Sequence, residues 1–215
     1  MKLFIQLCIS VLLLSSTAFS SLGQWRTVST SLTGSSVWYF DSYGSGILAS
    51  TNSGIYKSDD NGMTWNYFGL AGYDVYFITV NDTDIFASTW GNGLLRSSDG
   101  GSTWNMLGNG INTLYITTTF INGTDLFVCA DDGLYFSNNY GSGFTQLNMG
   151  VSTGVNFLLI NDSMLIAATY NGVFKSDDYG STWSATPVFS GLNVWQVFNS
   201  GGILFAGTSG SGLYT

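Results

Sequence analysis

The sequence predicts an all-β protein, a β-propeller of about five blades in which each blade is a four-stranded antiparallel sheet. The main observation is a box of eight residues, SDDNGMTW at 58–65, that returns as SSDGGSTW at 97–104 and as SDDYGSTW at 176–183. The last residues of these boxes, together with Trp25 and Phe144, are spaced by 40, 39, 40 and 39 residues. The composition agrees, because 28 Gly, 1 Pro and 16% aromatic residues favour short strands and tight turns over helices.

Residues 1–20, MKLFIQLCISVLLLSSTAFS, are predicted to be a cleaved signal peptide. They combine Lys2 with a short apolar run and with small residues before the predicted cleavage site. The apolar run, Leu3–Leu14, is too short to span a bilayer, and no later segment is both long enough and apolar enough. The mature propeller is therefore predicted to comprise residues 21–215 and to be secreted, periplasmic or at the cell surface.

Several classes of function are excluded by the net charge of the chain and by the residue types that it lacks. The net charge of the chain is −8, and every one of its 13 acidic residues is Asp. Such a chain repels nucleic acid and anionic lipid, so neither is a predicted partner. Cys129 is the one cysteine that follows the leader, so no internal disulfide is expected and the thiol is predicted to be buried and inert. The chain has no His, which excludes ordinary zinc sites and Ser-His-Asp triads, and neither a metal nor a cofactor is predicted.

Each unit of about 40 residues contains four short strands in the same order. In the second unit the first strand is VYFITV from Val75, and the turn NDTD leads to the second strand, DIFAST from Asp84. A glycine turn leads to the third strand, GLLRS from Gly93, and the box turns the chain into the fourth, WNMLGNG from Trp104. The second strand is apolar at consecutive positions, so both of its faces must be covered. Sheets stacked face to face around an axis, as propeller blades are, meet this requirement.

The box itself is predicted to stabilise the hairpin turn between the third and fourth strands. Its Asp accepts hydrogen bonds from nearby backbone N–H groups, its Gly adopts a positive φ, its hydroxyls add local bonds and its Trp buries a large ring. A worn copy, SNNYGSGF at 137–144, lacks the Asp, Thr and Trp. The residues predicted for this structural role are Ser58, Asp60, Gly62, Thr64 and Trp65, then Ser97, Asp99, Gly101, Thr103 and Trp104, and finally Ser176, Asp178, Gly180, Thr182 and Trp183.

The pattern S-x-D-x-G-x-T-W at this spacing resembles the Asp-box, or BNR, repeat. That repeat occurs in sialidases, sortilin-type receptors, some glucan hydrolases and the photosystem II stability factor, and the present chain looks like a secreted bacterial member. The resemblance covers essentially the whole predicted mature chain and implies a β-propeller. It does not imply one function, because the relatives do unrelated things.

Two arrangements of the ring are compatible with the order of the strands. The predicted mature chain opens with a fourth-strand pattern, QWRTV at 24–28, and its last pattern, GLYT at 212–215, is a third strand. The N-terminal strand is thus able to complete the last unit and close a five-bladed ring, which removes two exposed sheet edges. Alternatively the chain is a fragment of a larger propeller, with a C-terminal sorting or anchoring domain also missing.

The resemblance raises two enzymatic alternatives. Sialidases use an arginine triad and a tyrosine nucleophile with a glutamate partner, but the predicted mature chain contains only Arg26 and Arg96 and no Glu, so sialidase chemistry is excluded. A carbohydrate-active hydrolase needs two carboxylates. Outside the boxes and hairpin turns the sequence offers Asp74, Asp131 and Asp132, and this alternative stays open.

The leading hypothesis is an exported, non-catalytic scaffold that binds a protein or a glycan. In a propeller the first strand lines the central channel, so large rings with polar handles at one mouth would stack on sugars or grip a partner. The competing interpretation is that these side chains fill the channel or the space between blades. The candidate residues, second in each predicted first strand, are Trp38, Tyr76, Tyr115, Asn156 and Trp195.

Overall fold

A computed structural model of the chain describes residue 32 and residues 35–186 and 190–215. In these ranges the protein consists of nineteen strands in five antiparallel sheets, without a helix. The predicted fold class is confirmed: the sheets are the blades of a β-propeller. The predicted signal peptide at 1–20 and the predicted strand at 24–28 lie outside the described residues.

Strands that follow one another in the chain pair as antiparallel neighbours within each blade. Blade 1 comprises β1 (Val37–Tyr43), β2 (Gly46–Thr51), β3 (Gly54–Ser58) and β4 (Asn66–Gly69). Blade 2 comprises β5 (Val75–Asn81), β6 (Asp84–Thr89), β7 (Leu94–Ser97) and β8 (Asn105–Leu107). Blade 3 comprises β9 (Ile116–Asn122), β10 (Asp125–Ala130), β11 (Gly133–Ser137) and β12 (Thr145–Gln146). Blade 4 comprises β13 (Val155–Asn161), β14 (Met164–Thr169), β15 (Gly172–Ser176) and β16 (Ser184–Thr186), and blade 5 comprises β17 (Val194–Ser200), β18 (Ile203–Thr208) and β19 (Leu213–Tyr214).

The hydrophobic core lies between blades, because every sheet packs a face against its neighbour. Phe86 and Leu94 of blade 2, for example, cluster with Leu126 and Val128 of blade 3. The first strands contact one another in chain order, from β1 against β5 to β13 against β17. The second strands of blades 1 to 4 are buried on both faces, as their consecutive apolar residues predict; all residues of β10 after Asp125 are buried. The buried residues include Cys129, in agreement with the prediction for its thiol.

A β-bulge occurs at the second residue of the first strand in all five blades, and in blade 3 that residue is Thr117. In blade 2, Val75 pairs with Thr89 and Phe77 with Ser88, which leaves Tyr76 without an opposite residue. Such a bulge bends the strand and re-aims the side chain of its extra residue. The other bulge residues are Trp38, Asn156 and Trp195.

The register of blade 3 corrects one sequence prediction. Ile116 pairs with Ala130 and Thr118 with Cys129, so Thr117 takes the place that the sequence assigned to Tyr115. Tyr115 instead precedes β9 and forms an isolated bridge with Trp90. The physical reason is the connection from the box to the first strand, which is two residues longer before β9 than before β5.

Blade 5 has three strands among the described residues, and its outer face is exposed. Ile203 of β18 lies on this face and is 55% exposed, whereas Ile166 of β14, on the face of blade 4 that packs against blade 5, is 2% exposed. Because the predicted closing strand at 24–28 lies outside the described residues, closure of the ring stays a prediction. Within the described part of the chain, no helix is long and apolar enough to cross a membrane.

Candidate functional site

The three complete boxes form the same hydrogen-bonded turn between the third and fourth strands. In the first box the Ser58 hydroxyl donates to Asp60 Oδ1 (2.8 Å) and accepts from the Gly62 N–H (2.8 Å). The Asp60 carboxylate also accepts from the N–H (2.8 Å) and the hydroxyl (2.6 Å) of Thr64. The Trp65 indole donates to the Gly62 carbonyl (3.1 Å). The same bonds recur among Ser97, Asp99, Gly101, Thr103 and Trp104, and among Ser176, Asp178, Gly180, Thr182 and Trp183.

These bonds favour the ionised form of the box aspartates. The hydroxyl and N–H of Thr64, followed by the Ser58 hydroxyl, lower the pKa of Asp60 to about 2. Equivalent bonds lower the pKa of Asp99 to about 2 and also lower the pKa of Asp178. The box carboxylates are therefore fully engaged inside their own turns at neutral pH, which leaves them poor candidates for acid–base chemistry.

The worn third box keeps three of these five bonds. Ser137 donates to Asn139 Oδ1 (2.7 Å) and accepts from the Gly141 N–H (3.0 Å), while the Gly143 N–H donates to Asn139 Oδ1 (3.1 Å). Gly143 and Phe144 supply neither the hydroxyl bond nor the indole bond. A shallow depression beside this box is lined by Asn109, Gly110, Asn138, Asn139 and Phe144.

A second structural feature, which the sequence did not reveal, is a tyrosine clamp between neighbouring blades. The fourth position of the box in blade 4 is Tyr179, whose hydroxyl donates to Asp125 Oδ2 (2.9 Å) and accepts from Asn122 Nδ2 (3.1 Å). Both partners lie in blade 3, at the turn between β9 and β10. Tyr179 adopts a φ of 59°, in the left-handed region that bulky residues rarely occupy. Its side-chain bonds compensate for that strain.

The equivalent clamp in blade 3 includes the one arginine within the described ranges. Tyr140 donates to Asp84 Oδ2 (2.8 Å) and accepts from Asn81 Nδ2 (2.9 Å), both in blade 2. Arg96 forms a bidentate ion pair with Asp84 and places its guanidinium 4.5 Å from the centre of the Tyr140 ring. Arg96 is thus committed to packing, in agreement with its repeat position immediately before a box.

The opposite end of the propeller, which we call the mouth, carries the candidate binding face. It is the end at which the first strands begin and the second strands end, whereas the boxes follow the third strands at the other end. Four rings form a continuous row there, the aromatic row: Trp38 and Tyr76 stack at 5.0 Å between ring centres, Tyr76 and Trp90 stack at 5.3 Å, and Trp90 and Tyr115 are tilted at 5.0 Å. Trp38, Trp90 and Tyr115 are 45%, 37% and 42% exposed.

Two carboxylates and one further ring flank the aromatic row. Asp74 Oδ1 accepts a hydrogen bond from the Trp38 indole N–H (2.8 Å), which fixes the orientation of that ring. The pKa of Tyr76 is raised by burial and by the nearby charge of Asp74. Burial, together with the charges of Asp131 and Tyr76, raises the pKa of Tyr170. The mouth is therefore rich in aromatic surface and acidic in character.

Sequence reasoning missed Trp90, which lies at the centre of the row. Trp90 follows the second strand of its blade, and the same repeat position holds Asp131 after β10 and Tyr170 after β14. These residues donate equivalent backbone bonds, from Trp90 to Asp74 and from Tyr170 to Gly154. An alignment of the units at this position, instead of at the first strand alone, would have revealed them.

Two of the five predicted binding residues stand apart from the aromatic row. Asn156 is buried and donates to Asn193 Oδ1 (2.9 Å) and to the Val194 carbonyl (2.8 Å), so it joins blade 4 to blade 5 and does not line an exposed face. Trp195 is exposed at the mouth end of blade 5, but no ring contact connects it to the row within the described residues. The structure thus brings together Trp38, Tyr76 and Tyr115.

The three carboxylates that were candidates for hydrolysis each accept a hydrogen bond from a side chain. Asp74 accepts from Trp38, Asp131 from the Thr113 hydroxyl (2.6 Å) and Asp132 from the Tyr135 hydroxyl (2.7 Å). In the described ranges no three potential metal ligands among His, Cys, Asp and Glu come together.

No known protein family and no curated protein matches the sequence. Solved structures of β-propellers do match its fold. The chain is similar to an ancestral GH74 enzyme, with a TM-score of 0.65 and 19% identity. That match covers 80% of this chain and 27% of the enzyme. It is similar to YCF48 bound to D1 peptide (TM-score 0.64, 13% identity; 83% of this chain and 62% of that chain). It is also similar to the extracellular domain of a hybrid two-component system from B. thetaiotaomicron (TM-score 0.64, 17% identity; 82% of this chain and 26% of that chain). At these identities the likeness shows the fold alone.

Proposed function

We propose that the protein is an exported, non-catalytic propeller of the Asp-box type whose mouth binds a protein or a glycan. The observation that carries the proposal is the aromatic row, in which four rings lie side by side and three of them are more than one-third exposed. Exposed rings held by neighbours bind with a small loss of side-chain entropy, because few rotamers remain to be fixed. The boxes at the other end serve the fold.

The similar structures support a binding role without assigning a ligand. One of them, YCF48, is a propeller in complex with a D1 peptide, and another is an extracellular domain of a two-component system. The first is a propeller with a bound peptide, and the extracellular location of the second agrees with an exported chain. A carbohydrate-active hydrolase is the second candidate, favoured by the fold likeness to GH74 enzymes and by the presence of the Asp74 carboxylate beside the aromatic row.

The proposal is tested by retention of the purified chain on arrays of glycans and peptides. We expect Trp38→Ala to abolish or strongly reduce retention, because the ring is exposed in the row. Truncation of an aromatic residue that anchors an interface costs about 2 kcal/mol or more of binding energy. The melting temperature should change little, since the side chain is 45% exposed. Trp195→Ala tests the other exposed indole in the same way.

The matched control is Phe40→Ala, which removes an exposed ring that lies against Trp65 of the first box, at the other end of the propeller. Its retention should equal that of the unmodified chain. Unfolding of Trp38→Ala would show that the ring belongs to the core, and unchanged retention would show that the row is not the binding face.

A further inference from the structure

We infer that the partner at the mouth is a peptide segment that carries both apolar and basic side chains; this inference rests on the proposed function and narrows it. Three features of the described residues lead to it: the mutual stacking of the rings, an aliphatic extension of the row, and the distribution of charge between the two ends of the propeller.

The rings of the aromatic row cover one another's faces. Trp38, Tyr76 and Trp90 are nearly parallel, with interplanar angles of 26° and 24° and centres 5.0 and 5.3 Å apart. A sugar ring binds an aromatic side chain by lying on an open face, and the central Tyr76 has a stacked ring on each side. Ring edges and rims remain available, and these contact alkyl groups of side chains.

The row continues into two exposed aliphatic side chains. A Cβ placed on Gly93 would lie 3.4 Å from Leu114 Cδ2 and 3.8 Å from Met106 Sδ, so both side chains meet over this glycine, which is three residues after Trp90 in the chain. The loop is held in place because the N–H groups of Gly91 and Gly93 both donate to the Leu114 carbonyl (3.0 and 2.8 Å). Met106 is 59% exposed, and Leu114 is exposed as well. Flexible Met and Leu surface beside Trp and Tyr is suited to apolar side chains of a protein partner.

The charge at the mouth selects a basic partner. Asp74 and Asp131 flank the rings, and all three basic residues in the described ranges lie at the other end, where each is paired with an Asp. Those three are Lys57, Arg96 and Lys175, each at or near the end of a third strand that leads into a box. No cation of the described chain therefore offsets the acidic mouth, and opposite charge on a partner favours both encounter and affinity.

The test is a titration of the purified full chain, followed by tryptophan fluorescence, with three synthetic peptides of equal length and one neutral β-glucan oligosaccharide. The peptides alternate Leu with Lys, Leu with Glu, and Ser with Lys. We expect the Leu/Lys peptide to bind more tightly than the other two peptides and the oligosaccharide, and its affinity to fall with increasing salt.

Two pairs of variants assign this binding to the mouth. Met106→Ala should weaken binding of the Leu/Lys peptide by about threefold to tenfold. Met63→Ala should have no effect, since Met63 is 58% exposed but lies in a box at the other end, against 59% for Met106. Asp74→Asn, which keeps an acceptor for the Trp38 indole, should weaken binding about threefold at low salt, whereas Asp177→Asn, with the same change in net charge, should not.

Several outcomes would overturn the inference. Equal binding of the Leu/Glu peptide would remove the argument from charge, and equal binding of the Ser/Lys peptide would remove the argument from apolar surface. Failure of all three peptides to bind would also reject it. If the oligosaccharide bound in a Trp38-dependent manner while the peptides did not, the proposed function would stand and the inference about its partner would fall.

Discussion

At the scale of single residues, the box stabilises a tight turn by hydrogen bonds from its own side chains. Asp60 accepts bonds from Ser58 and Thr64, and the Trp65 indole returns to the backbone at Gly62. The residue types in the sequence were sufficient to predict this network, because each type has one ordinary use in a hairpin turn. The tyrosine at the fourth box position was not predictable, since its partners belong to another blade.

The lowered pKa of the box aspartates predicts a loss of stability in acid. A carboxyl group whose pKa is about 2 in the folded state, against an ordinary 3.8, stabilises the fold fully above pH 3.8, and this contribution disappears as the pH falls through about 2. Asp60→Asn should therefore lower the melting temperature at neutral pH by a few degrees. The difference between the two proteins should shrink below pH 3.8, as thermal denaturation across this pH range would measure.

The neighbouring residue supplies the control for this prediction. Asp59 is exposed and forms an ion pair with Lys57 (2.8 Å) that has no part in the turn. Surface pairs of this kind contribute little, so Asp59→Asn should leave the melting temperature nearly unchanged. An equal effect of both substitutions would mean that net charge, instead of the turn, controls the acid response.

At the scale of strands and blades, local patterns predicted the order of elements but not the register of every pair. The apolar run LYITTTF resembles the first strands of the other units, and matching it residue by residue places Tyr115 at the bulge. The pairing of Ile116 with Ala130 instead places Thr117 there, where its hydroxyl donates to the Val155 carbonyl (2.7 Å) of the next blade. A register depends on cross-strand and inter-blade contacts that a single run does not encode.

The same scale explains why the central member of the binding face was missed. Trp90 lies on a different strand from Trp38 and Tyr76, and adjacent blades bring the three rings together. Periodicity within one strand predicts which side chains share a face of that strand. It does not predict which residue of a second strand enters the row, because that depends on the stacking of whole sheets.

The tyrosine clamp predicts a specific inter-blade contribution to stability. Tyr179→Phe retains the ring but removes the bonds to Asp125 and Asn122 across the blade boundary. We expect the free energy of unfolding to fall by about 1 to 3 kcal/mol, because one of the lost partners is a carboxylate. Chemical denaturation measures this loss.

Tyr73→Phe is the matched control for the clamp. Tyr73 packs against the core of the first two blades, and no hydrogen bond of its hydroxyl occurs within the described residues. Its substitution should change the free energy of unfolding by less than about 0.5 kcal/mol. If Tyr179→Phe were equally neutral, the bonds between blades would add nothing beyond packing.

At the scale of the whole molecule, each blade depends on its neighbours for burial. Blades 2 to 4 have both faces covered, and the clusters that stabilise them cross the blade boundaries. The forty-residue repeat was sufficient to predict this architecture, because a sheet that is apolar on both faces has to be enclosed by others. It did not decide how the outer face of blade 5 is covered, since every unit carries the same pattern whether or not a neighbour follows.

Matched isoleucines on β14 and β18 test the state of that outer face. Ile166 is 2% exposed on the face of β14 that packs against blade 5, and Ile203, on the corresponding face of β18, is 55% exposed. Ile166→Ala leaves a cavity and should cost about 2 to 5 kcal/mol of unfolding free energy. Ile203→Ala should cost less than half as much, because the lost side chain is largely in water already. Equal costs in chemical denaturation would instead show that this face is covered in solution. Either closure of the ring by the predicted strand at 24–28 or a second chain would explain such cover. If a second chain covers the face, the cost would depend on protein concentration.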